Sequence, residues 1–138
     1  MISKEQMFAP ILIVTPSFAK TWEEFLIEWQ NHSDGLPYYL ALGELANHLI
    51  ILLEGGKYNE IHQIFEVAEE WLISGDRYVK EATTVGFLEN LQNNNLHKNT
   101  PPNDFVQFLK PETAFWWNKV ERFWEHGELI CDERNETQ

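Results

Sequence analysis

The sequence predicts an all-α protein: a single-domain bundle of about six helices in stacked antiparallel pairs, similar in plan to HEAT or armadillo hairpins. Two observations carry that prediction. Apolar residues recur at helical spacing through the block 39–93, where the runs ELANHLIILLEGGKYNEIHQIFEVAEEWLISG and DRYVKEATTVGFLENLQNN are broken only at Gly-containing corners. No stretch alternates apolar and polar residues between hairpin turns, and only 11–14 could be argued as a strand.

Each element has its own signals. Ser3 and Gln6 are spaced as a capping box and Pro10 interrupts the helical pattern after them, so 3–14 reads as a short kinked helix. Thr15-Pro16-Ser17 opens a second helix with Phe18, Trp22, Phe25, Leu26 and Trp29 on one face, and the turn residues His32-Ser33-Asp34-Gly35 end it near Asn31. A third helix runs from about Pro37 to Glu54, with Leu42, Leu45, Ala46, Leu49 and Leu53 at the spacing of a buried stripe, and Gly55-Gly56 stops it. A fourth spans 58–73, with Ile61, Ile64, Phe65, Ala68 and Leu72 inward and Glu66, Glu69 and Glu70 largely away from them.

Asp76 is placed to cap the next helix, whose Val79, Ala82, Val85, Gly86, Phe87, Leu88 and Leu91 form an apolar face broad enough for packing on two sides. The small residues Ala82 and Gly86 allow a neighbour to approach closely. The polar run NNNLHKNTPPND over 93–104 reads as a loop and as the most mobile internal segment. Pro111 starts a final helix in which most of Trp116, Trp117, Phe123 and Trp124 are expected inside. The domain is then 1–128, and 129–138 is an acidic tail expected to fray.

Composition narrows the function classes. A domain of 138 residues buries roughly 68% of the surface its unfolded chain exposes, and six Trp supply large side chains for that core. Cys131 is the only cysteine, so no internal disulfide is expected, and a reducing cytoplasm is the expected compartment. The start MISKEQMFAP lacks secretory-signal character and the apolar runs are too short to cross a bilayer. Asp and Glu number 22 against 10 Lys and Arg, a net charge of -12, which repels nucleic acid and anionic lipid and favours a basic protein partner.

No catalytic or cofactor constellation is legible, and none is expected. Ser17, Ser33 and Ser74 fall at caps and turns; Gly55-Gly56 lacks the Lys-Ser/Thr of a phosphate loop. The carboxylate pairs Glu23-Glu24, Glu69-Glu70 and Asp132-Glu133 are adjacent and diverge by about 100° on a helix. Metal binding is not expected either, although an enzyme-class alternative exists: a metal-dependent hydrolase using Glu44, His48, His62 and Glu66 if facing helices bring them together. Otherwise His48 reads as a hydrogen-bonded histidine at the border of a buried stripe. The candidate partner-binding residues are Glu66, Glu69, Glu70, Asp76, Glu81 and Glu89, which stacked helices would align as an acidic ridge beside Trp71 and Tyr78.

The pieces YLALGELANHL, GDRYV and VGFLENLQN, with PETAFWWNKVERFW, resemble a family of small bacterial proteins of unknown function over roughly residues 8–124. That resemblance implies no catalytic residue. In physical type the chain is similar to immunity proteins that neutralise polymorphic or contact-dependent toxins, which implies a non-enzymatic module covering a basic toxin domain. The alternative is a helical-repeat-like adaptor of a housekeeping protein.

Overall fold

The computed structural model describes residues 1–135; the end of the expected tail, 136–138, lies outside the described residues. The helices are α1 (Ala9–Val14), α2 (Ala19–Trp29), α3 (Tyr38–Glu54), α4 (Tyr58–Ser74), α5 (Arg77–Ala82), α6 (Glu89–Leu91) and α7 (Pro111–His126), with no strand among the described residues. The fold class is all-α. The arguable strand 11–14 is helical, because Pro10 sits in the first turn of α1 where its missing N–H costs nothing. Turns occupy 4–8 ahead of it, so the proline starts a helix and does not kink one.

α5 and α6 are the ends of one continuous helix over 77–91, joined by a π-helical stretch, Thr83–Leu88. This is the centre of the molecule. Val79, Ala82, Phe87, Leu88 and Leu91 are fully buried, with α3, α4 and α7 packed around them, which is the two-sided packing its broad apolar face demands. A Cβ on Gly86 would stand 3.2 Å from Leu42 Cδ1, so the small residue sets the spacing to α3. The wide turn has a local cause: Thr83 Oγ1 donates to the Val79 carbonyl at 2.7 Å and Thr84 Oγ1 to the Lys80 carbonyl at 3.1 Å. Hydroxyls that occupy carbonyls one turn back compete with the regular ladder.

α1 packs on α4 and α2 on α3. Ile2 extends the first of these contacts: its N–H donates to the Ser74 carbonyl and its carbonyl accepts from the Asp76 N–H, both at 2.8 Å. Gly75, opposite Ile2, has no room for a side chain, since a Cβ there would meet the Trp71 carbonyl oxygen at 2.3 Å. Asp76 caps α5 as expected, accepting from the Val79 N–H at 2.9 Å. Contacts gather on the central helix and do not run as a row of equal pairs, so HEAT-like stacking draws no support from them.

The segment between α6 and α7 is built, not featureless. It holds 3₁₀ turns at Asn94–Leu96 and Pro102–Phe108, and His97 joins it to the end of the central helix, Nε2 lying 2.9 Å from the Leu91 carbonyl oxygen. Phe105 and Phe108, which follow the expected loop 93–104, are buried against Phe65 of α4.

The final helix also departs from expectation. Of Trp116, Trp117, Phe123 and Trp124 only Trp117 is buried; Trp116 is half-buried and the last two are exposed. α7 meets the core along Thr113, Trp117 and Val120, a narrow stripe, and Phe123 and Trp124 lie beyond its end. Gly127, at φ 68°, ends α7 in the left-handed conformation that glycine adopts without a Cβ clash. Beyond it Arg134 folds back, donating to both Glu112 carboxylate oxygens at 2.8 and 3.0 Å and to Asp132, with its guanidinium over the Phe115 ring.

Candidate functional site

The six acids proposed as one ridge have separate roles. Glu69 is 7% exposed and accepts from the backbone N–H groups of Glu112 and Thr113, both at 2.8 Å. It is the cap of α7, a carboxylate placed where the first N–H groups of a helix lack partners and its dipole favours negative charge. Asp76 is the α5 cap. Burial holds the half-buried Glu89 above the usual carboxylate range. Glu66, Glu70 and Glu81 face solvent. The ridge is thus reduced to three outward carboxylates, because helix starts have claimed two of the six and Glu89 is half-buried.

The four groups of the hydrolase alternative do not converge. The His48 ring packs at 5.4 Å from Phe18, whereas His62 meets the Phe108 ring edge-on at 4.8 Å. Among the described residues no group of three or more His, Cys, Asp or Glu stands close enough to hold a metal. His48 belongs instead to a polar staple between three elements. Its Nε2 lies 2.9 Å from Ser17 Oγ and 3.2 Å from Thr15 Oγ1. Glu60 of α4 accepts from both hydroxyls, at 2.8 Å from Thr15 and 3.2 Å from Ser17. The carboxylate meets the hydroxyls and not the imidazole, so the nucleophile–base–acid order of a hydrolytic relay is not formed. Burial lowers the His48 pKa, and the Glu60 charge opposes that in part.

A different set of acids shares one concavity. Between α2 and α3 lies a groove of about 470 Å³ lined by Glu24, Glu28 and Trp29 on one wall and Tyr39, Leu40, Gly43, Glu44 and Asn47 on the other. Helical spacing builds both walls. Glu24 and Glu28 are one turn apart on α2, while Leu40, Gly43, Glu44 and Asn47 follow the i, i+3, i+4, i+7 rule on α3. Gly43 lowers the floor, since a Cβ there would have only Asn90 Nδ2 nearby, at 3.8 Å. No Lys or Arg lines the groove, and none of its three carboxylates is ion-paired among the described residues. Exposed Leu40 and Tyr39 put apolar surface beside that charge. Such a groove attracts a cationic side chain and gives its aliphatic stem a surface to lie on. The spacing that forms it was present in the sequence, but nothing there tells which helix faces meet.

A family model described as "Domain of unknown function (DUF7674)" matches residues 8–125, the span from the start of the α1 region through nearly all of α7. The chain belongs to this family. The match takes in α1 to α6, all but the last residue of α7 and the whole α2–α3 groove, and it accords with the resemblance to a family of unknown function drawn from YLALGELANHL and VGFLENLQN. No curated protein and no solved structure matches the chain. No helix of the described residues is long and apolar enough to cross a membrane.

Proposed function

We propose that the chain is a non-enzymatic protein-binding module that takes a basic partner on the α2–α3 groove. The observation that carries this reading is the convergence of Glu24, Glu28 and Glu44 on one concave, partly apolar surface that no cation lines. The net charge of -12 supports it, because a strongly acidic surface steers a basic partner and raises its association rate. Glu66, Glu70 and Glu81 add to that long-range field; Glu69 and Asp76, committed to caps, are not contact residues. In its most concrete form the module is an immunity protein that neutralises a basic bacterial toxin domain by occluding it. That form rests on charge and helical type alone. The adaptor reading differs in one consequence: deleting the gene would produce a defect with no toxin present.

Two charge-matched variants separate the surfaces. Tagged wild type, Glu24→Lys/Glu44→Lys and Glu66→Lys/Glu70→Lys are used to capture proteins from host lysate at low and high salt. One basic protein, retained at low salt and lost only by the groove variant, is the expected result, and co-expression with that protein then tests growth rescue. Loss only by the second variant moves the contact to α4. A captured set indifferent to both variants and to salt overturns the reading.

A further inference from the structure

A second concavity, sharing no lining residue with the α2–α3 groove, lies where the segment after α6 crosses the C-terminal half of α7 and encloses about 630 Å³. One wall carries the carboxamides of Asn93, Asn94 and Asn103; the other carries Glu121, Trp124 and Glu125. Trp124 is 54% exposed, and the Asn94 and Asn103 side chains make no hydrogen bond to protein among the described residues. The walls are tied together by Gln92, whose Nε2 donates to the Trp117 carbonyl at 2.9 Å. The volume falls within the range of small-molecule sites.

The chemistry of the lining narrows the ligand to neutral or cationic groups, and the carboxamides favour the neutral ones. Among the described residues no Lys or Arg faces the cavity and two carboxylates do, so phosphates, nucleotides and other anions are repelled. A purely apolar ligand would strip water from the amides and give nothing back, a cost of about 1–3 kcal/mol for each buried polar group. Carboxamides both donate and accept, which matches groups that also do both; hydroxyls are such groups. An exposed indole beside them offers a flat face on which the C–H face of a pyranose ring can lie. Carboxylates one turn apart on α7 accept further hydroxyls. We propose that this cleft binds a neutral saccharide, with the sugar ring on Trp124 and its hydroxyls bridged between the asparagine wall and Glu121 and Glu125. This site does not rest on the protein-binding reading.

The test uses the ¹⁵N-labelled full chain titrated with short neutral malto-, cello-, manno- and chito-oligosaccharides, with a Lys/Arg-rich peptide as competing probe. Saturable, concerted shifts of the Trp124 indole N–H and the Asn94 and Asn103 carboxamides with at least one sugar are expected. Trp124→Ala, at an exposed position that leaves the thermal midpoint nearly unmoved, should weaken that binding by about tenfold or more. Glu121→Gln, which keeps an acceptor for a hydroxyl but removes the charge, should weaken sugar binding less than Trp124→Ala does and less than it weakens any binding of the basic peptide. Shifts only with the peptide, no saturable shift with any sugar to millimolar concentration, or sugar binding indifferent to Trp124→Ala each overturn the proposal.

Discussion

Glu69 shows how one side chain changes meaning between sequence and structure. Beside Glu70 it reads as solvated charge, yet it lies four residues after Phe65 and three before Leu72, which puts it at the edge of the buried stripe of α4. There it reaches a helix that begins more than forty residues later and satisfies two of its N–H groups. Glu69→Ala leaves those donors without a protein partner and should cost about 1–3 kcal/mol, whereas Glu70→Ala, at an exposed position that accepts from Ser74 at 3.5 Å, should change stability little. Denaturant unfolding of the two variants checks this. Equal effects would show that the cap contributes nothing beyond surface charge.

At the scale of elements, the helices from Tyr38 to Ser74 were legible because each has one apolar stripe, a terminating glycine and a short connection. The π turn in the central helix was not. Thr83 and Thr84 look like ordinary helix residues until their hydroxyls are seen on the carbonyls of Val79 and Lys80. The segment after α6 was legible in part: the asparagines and prolines of 93–104 announce a loop, while Phe105 and Phe108 just beyond it carry the packing that anchors it. Phe105→Ala should therefore cost about 3–5 kcal/mol, comparable with a core helix position, and should increase amide exchange over 93–108. A loss near zero would mean that the segment is held by its polar contacts alone.

At the scale of the whole molecule, charge is unevenly compensated. Every ion pair among the described residues involves α7 or the stretch after it, where Arg134 holds the Glu112 and Asp132 carboxyls below their usual range, so exposed acids such as Glu24, Glu28 and Glu44 of the groove and Glu66 of α4 stay open to a partner. The pH dependence of folding carries a signature of the staple between those elements. With its folded pKa depressed below 6.5 by burial, His48 binds its proton more readily in the unfolded chain. Its contribution is then complete above 6.5 and is lost as pH falls through that value towards the folded pKa. His48→Gln should flatten the drop in thermal midpoint between about pH 8 and about pH 5. An unchanged slope would assign the drop to carboxylates instead.

Residue order alone was enough for the all-α class, most helix limits, the Asp76 cap, the close approach at Gly86 and the excess of negative charge, because these depend on residues within a few turns of one another. Which surfaces meet was settled in three dimensions. Packing buried Glu69, parted His48 from His62, and joined Glu24 and Glu28 of one helix with Glu44 of the next. Packing directions between helices are set by the sum of many weak, non-directional contacts across the core, and no single local pattern encodes that sum.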